Sequence, residues 1–171
     1  MSLYSVDKLI SEARRIAAEY RRATGKPLGI SAEIASHDAC TYLDLEANEE
    51  ALGYDAVGSK GERKGKHFQI KGRAIFDEQK GGQRLGQIKI EQDWDIILLV
   101  LMDEDFETTE IYEASREDIL NDLDEAGTSS RQKRGVMSVA RFKRLAQLAW
   151  SREQGLVNDE VWNNQANTSK T

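Results

Sequence analysis

The sequence predicts one α/β (α+β) domain built on a mixed sheet, and three observations carry that expectation. Apolar residues recur at helical spacing through residues 3–45. After Gly53 the period falls to two. Residues 96–102, Ile-Ile-Leu-Leu-Val-Leu-Met, are continuously apolar, as a central strand covered on both faces requires. A chain of 171 residues has interior for one ordinary core and little more.

The elements follow in order. Leu9, Ile10, Ala13, Ile16, Ala17 and Tyr20 mark a first helix over 3–24, closed by Gly25-Lys26-Pro27. Ser31 is expected to cap a second helix over 32–45, with Glu33 in its first turn. Residues 54–57 form a short strand, 58–66 a polar hairpin tip, and 67–76 a longer strand. Phe68 and Ile70 face one side of it, and His67, Gln69, Lys71 and Arg73 the other. The strand at 96–102 turns through Asp103-Glu104-Asp105 into another at 108–113. Ser115 caps a helix to about 126, and Val139, Phe142, Leu145, Ala146 and Trp150 predict a last helix over 136–150. The expected order is α-α-β-β-β-β-α-α, one domain over 1–150 with a polar C-terminal tail at 151–171.

Composition narrows the function classes. The longest apolar run is seven residues, against the ~20 that span a bilayer, so no membrane partner is expected. A lone Cys40 forms no internal disulfide and the N-terminus lacks a secretory pattern, which makes the cytoplasm the expected location. Net charge is −6, but it is uneven. Residues 59–89 carry nine bases and three acids, 91–125 fourteen acids and one base, and 129–145 six bases and no acid. Local potential, not the total, decides where a polyanion docks.

Three signals fall away. Residues 81–86 have the glycine spacing of a phosphate loop, but Gln87 and Ile88 stand where Lys and Ser/Thr are needed. His37 and His67 lie thirty residues apart without a zinc signature. Cys40 sits on a helix with no basic neighbour to make its thiolate, and reads as a core thiol.

The hairpin remains. Antiparallel pairing places Asp55 beside Gln69 and Lys71, which share one face while Ile70 turns to the core. A carboxylate, an amide oxygen and an ammonium suit a hard divalent cation and a phosphodiester. Glu33 would be an outer or second-metal ligand. Arg73 reads equally as a phosphate contact or as an ion pair to one of the many acids.

The succession helix-Glu33, Gly53-Tyr54-Asp55-Ala56-Val57, hairpin, Phe68-Gln69-Ile70-Lys71-Gly72-Arg73 resembles the PD-(D/E)XK nuclease superfamily, with its restriction-endonuclease-like fold. The likeness runs on through Trp94-Asp95-Ile96, Thr109-Glu110-Ile111-Tyr112 and Arg134-Gly135-Val136, over roughly residues 31–150, and is similar to small bacterial domains of that fold with a D…QxK motif. The resemblance implies a Mg²⁺- or Mn²⁺-dependent endonuclease-like phosphodiesterase acting on nucleic acid, with DNA the expected form. Asp55, Gln69, the Ile70 carbonyl and Glu33 would hold the metal, and Lys71 would activate water. His67, Arg73, Arg84, Lys89, Arg131, Lys133 and Arg134 would contact the backbone. Gln69 departs from the family's usual acid and removes one formal charge. The alternative is a catalytically inactive module of this fold that binds nucleic acid or protein. Sequence specificity would call for a partner or a homodimer.

Overall fold

A computed structural model describes residues 5–50, 53–77, 79, 81–125 and 136–157. Helix α1 (Val6–Thr24) starts at Ser5, whose side chain accepts the Lys8 N–H, and stops at Gly25 with φ +72°. Helix α2 (Ser31–Leu43) begins one residue earlier than expected: Ile30, not Ser31, is its N-cap and brings no side-chain bond. Strands β1 (Leu45–Ala47) and β2 (Ala56–Gly58) pair antiparallel, and β2 pairs with β3 (His67–Ala74). Then come β4 (Arg84–Gln87), β5 (Ile96–Met102), β6 (Thr108–Ser115) and α3 (Arg116–Glu125). The chain closes with β7 (Val136–Ser138), α4 (Val139–Leu145), β8 (Gln147–Ser151) and β9 (Gly155–Leu156).

The main sheet runs β1-β2-β3-β5-β6-β8-β9, with β4 and β7 as a separate pair. Among the described strand pairs of this sheet only β3 and β5 run parallel, so the expected mixed sheet is present. The sheet curls around α2, which touches β1, β3, β5, β6, β8 and β9. Strand β5 is covered on both faces, as its unbroken apolar run requires. Leu98, Val100 and Met102 enter the core under α1 and α2, and Ile97, Leu99 and Leu101 the core under β4, α3 and α4.

Three expectations are corrected. The order has more strands than four, since β1, β4, β7, β8 and β9 lie where loop, helix or tail was expected. The helix expected over 136–150 is only Val139–Leu145, capped by Ser138, whose side chain accepts the Arg141 N–H. Either side of it the chain is extended because it has a partner there: β7 pairs with β4, and β8 with β6. Trp150 sits at helical spacing from Phe142 and Ala146, yet it belongs to β8 and stacks on Tyr42 at 4.1 Å. Finally, α1 does not bury the stripe its spacing suggests. It rests on Ala17 and Ala18, and leaves Leu9, Ile16 and Tyr20 exposed. Among the described residues, no helix is long and apolar enough to cross a membrane.

Helix α1 is fixed to the domain by charge as well. The Arg14 guanidinium forms a bidentate pair with buried Asp38 of α2, and Thr108 donates to the same carboxylate at 2.6 Å. Burial works against the Arg14 charge, but the hydrogen bond and charge of Asp38, with Glu107, outweigh it and raise its pKa.

Candidate functional site

Strand β2 stops pairing at Ala56, so beyond Phe68 the outer edge of β3 has no strand beside it. Asp55, just before β2, fills the next position with its side chain. Its Oδ2 accepts the Ile70 N–H at 2.7 Å, while its own N–H goes to Phe68 O at 2.7 Å. In extended chain the N–H and C=O of one residue face the same edge, so the Ile70 carbonyl faces the edge that Asp55 occupies.

Side-chain alternation does what the sequence suggests. Phe68, Ile70 and Gly72 turn toward α2, and Gly72 packs so closely that a Cβ there would lie 2.5 Å from Ala35 Cβ. Gln69 and Lys71 therefore turn to the other face. Gln69 is 5% exposed, and its Oε1 is buried without a hydrogen-bond partner among the described residues. A buried amide oxygen left so costs roughly 1–3 kcal/mol, which marks a place where a ligand oxygen-binder is favoured.

Gln69 and Asp55 line one cleft of about 380 Å³ with Asn48, Glu49, Glu50, Gly53, Tyr54, Lys89 and Gln92. Two loops build its walls. The β1–β2 loop is held by Asn48, whose N–H reaches Asp55 O at 2.9 Å and whose side-chain NH₂ reaches Tyr54 O at 3.1 Å. The β4–β5 loop is held by Trp94 and Arg116. Trp94 Nε1 donates to Lys89 O at 2.7 Å, and Arg116 donates to the carbonyls of Ile90, Gln92 and Trp94. The single base of the acidic segment thus fastens the loop that presents Lys89.

Lys71 is half-buried beside the cleft rather than lining it, and its Nζ donates to Gln87 O at 3.0 Å. Burial pushes its pKa below the ordinary lysine value; Asp55 opposes this, and Lys89 and Arg73 reinforce it. Burial also lowers Arg73, which spends its guanidinium on Arg84 O and Gly72 O. Among the described residues Arg73 is hydrogen-bonded to backbone carbonyls rather than paired with a carboxylate. His67 stacks on Tyr54 at 3.8 Å and sets Nδ1 3.1 Å from Asp93 O, joining the two loops behind the cleft. Arg84 is exposed on β4.

Glu33 is not brought to the cleft. It is exposed on the first turn of α2, and α2 covers the opposite face of β3. Arg131, Lys133 and Arg134 lie outside the described residues. The hairpin bases Lys60, Arg63 and Lys66 belong instead to a larger cleft of about 660 Å³ at the other end of the hairpin. There Arg63 is already paired with Glu113 at 2.8 Å, and no lining side chain is a buried polar group without a partner. Sequence reasoning also missed Asn48, Gln92 and Arg116. Only Asn48 had a local signal, as the acceptor for Glu50 N–H in an Asx turn.

The donors suit a hard cation. Asp55 Oδ1, Gln69 Oε1 and the Ile70 carbonyl are all oxygens, and Mg²⁺ takes one or two carboxylates with water and phosphate completing its sphere. Cys40 is no competitor, since burial and Asp55 raise its thiol pKa. Neither a known family model nor a curated protein matches the chain.

Proposed function

We propose that this protein is a divalent-cation-dependent phosphodiesterase acting on nucleic acid, with DNA as substrate and Mg²⁺ or Mn²⁺ as cofactor. The observation that carries the reading is Gln69 Oε1, buried and without a partner among the described residues, on a cleft shared with the Asp55 carboxylate. Asp55, Gln69 and the Ile70 carbonyl would hold the cation, which when bound polarises a phosphoryl oxygen and acidifies water. Lys89 lies where it would meet a phosphate entering the cleft. Lys71, held by Gln87 O, keeps a second positive charge next to the reacting group, where a desolvated charge acts strongly on developing negative charge.

A second reading is favoured by one feature. Among the described residues, no three His, Cys, Asp or Glu side chains gather to hold a metal. A nuclease-fold module that binds nucleic acid or protein without cutting fits such a poorly charged site.

Nicking of supercoiled DNA in Mg²⁺ or Mn²⁺ decides between them. The wild type should nick, Asp55→Ala should lose both nicking and cation binding, and Lys71→Ala should lose nicking while still binding cation. Gln69→Glu restores an acid at the buried position and should cut at least as fast. No nicking by the wild type or by Gln69→Glu selects the binding module.

A further inference from the structure

Arg116 opens α3 and is the one base among the fourteen acids of residues 91–125. Among the described residues its guanidinium is nevertheless hydrogen-bonded to carbonyls and not to a carboxylate. It donates to Ile90 O, to Gln92 O at 2.8 Å and to Trp94 O at 3.0 Å, and its backbone N–H adds Asp95 O at 2.8 Å. It also lies over the Trp94 ring, 4.6 Å from the ring centre. A planar fork reaches three carbonyls of one turn together, which a single ammonium does not.

The same turn is pinned at Lys89. The Lys89 carbonyl accepts Trp94 Nε1 at 2.7 Å and Gln92 N–H at 3.2 Å, and Ile88 and Trp94 are buried in the core under β4, α3 and α4. The Lys89 backbone is held on both sides while its side chain stays exposed on the cleft. A fixed starting point for this flexible side chain lowers the entropy lost when its ammonium meets a phosphate.

Resting on the phosphodiesterase reading, we propose that Arg116 is a positioning residue for nucleic acid: with Trp94 it locks the β4–β5 loop so that Lys89 is presented to a backbone phosphate at the cleft. Arg116 acts through Lys89 and touches no substrate itself. The contact it sets up is independent of base sequence. The cation donors Asp55, Gln69 and Ile70 stand on the hairpin, not on this loop.

The test is a double-mutant cycle. Binding of a short DNA duplex is followed by fluorescence anisotropy over a range of salt, without divalent cation, for the wild type, Lys89→Ala, Arg116→Lys and the double variant. Each single change should weaken binding by about tenfold in ~0.1 M salt and lower the salt slope by about one. The double variant should bind no more weakly than Lys89→Ala, because both changes remove one contact. Arg116→Lys should keep the wild-type stabilisation by Mn²⁺ in thermal melts, and its nicking should suffer in KM more than in kcat. Additive losses, an unchanged salt slope or a lost Mn²⁺ stabilisation each overturns the positioning role and leaves the phosphodiesterase reading standing. A wild type that binds no DNA overturns both. The expected cycle in a wild type that binds but does not nick supports the positioning role within a binding module. Should Arg116→Lys fail to fold, Trp94→Phe, which removes the bond to Lys89 O and keeps an aromatic ring beneath the guanidinium, takes its place in the cycle with the same outcomes.

Discussion

Asp55 Oδ2 accepts the Ile70 N–H at 2.7 Å, so a carboxylate stands where the β2–β3 ladder would otherwise continue. One oxygen serves the fold and the other is left to the cleft. Asp55→Asn keeps an acceptor for Ile70 and should leave the melting temperature nearly unchanged while removing stabilisation by Mn²⁺. Asp55→Ala should in addition cost about 1 kcal/mol, the worth of an ordinary hydrogen bond. Thermal melts with and without Mn²⁺ read both effects, and equal melting of the two variants would contradict the assignment.

Gly72 sets the distance between the site strand and α2. A Cβ there would lie 2.5 Å from Ala35 Cβ and 3.0 Å from Ser31 O. Gly72→Ala should therefore push α2 off the sheet and cost about 1–3 kcal/mol in urea unfolding. Adding Ala35→Gly removes one of the two clashes and should recover part of the loss.

The Arg14–Asp38 pair is mostly shielded, with side chains 13% and 6% exposed. Asp38→Ala removes the bidentate partner of a mostly shielded guanidinium, leaving it only Glu107 and the Phe106 carbonyl, and strands the Thr108 hydroxyl, so a loss of about 3 kcal/mol is expected. Replacing both, as Arg14→Met with Asp38→Leu, should cost far less than the single change. Denaturant midpoints of the three variants measure the difference.

Tyr112 provides a pH signature away from the cleft. Burial, and its hydrogen bond to Glu110 at 2.7 Å, push the phenol up to about 12. The folded state thus holds this proton more tightly than the unfolded chain, whose phenol titrates near 10. Its contribution to stability is complete below pH 10 and is lost as pH rises toward 12. Tyr112→Phe should flatten that part of the stability profile. It should also remove the latest step from the alkaline absorbance titration of the tyrosines.

The parts of the fold legible in the sequence were those with a strong period. Strand β5 showed through its unbroken apolar run, and β3 through the alternation that sets Gln69 and Lys71 against Phe68 and Ile70. Strands β4, β7 and β8 were not legible. They are three to five residues long, and pairing with distant partners, not local propensity, makes them extended. The same limit applies to the site. Asp55 and Gln69 are placed by one hairpin, so pairing could place them; Gln92 and Asn48 come from two separate loops, one of them held by Arg116 and Trp94, and no local pattern shows that these loops meet. Glu33 looked useful by its position in the order, but Ile34, Ala35 and Ala39 decide which side of α2 faces inward, and Glu33 is on the other.

The curled sheet ends in very little strand. At one margin β1 offers three residues, with Glu46 exposed among them, and at the other β9 offers two. An unpaired edge is the template on which a second chain zips up into an aggregate, and its danger grows with its length and flatness. These margins are short, and the one formed by β1 carries charge. Molecules drawn together by the greasy stripe on α1 would therefore find side chains to rest against, short sheet margins, and an outer edge of β3 past Phe68 that Asp55 blocks at Ile70, which favours reversible clustering over fibre growth.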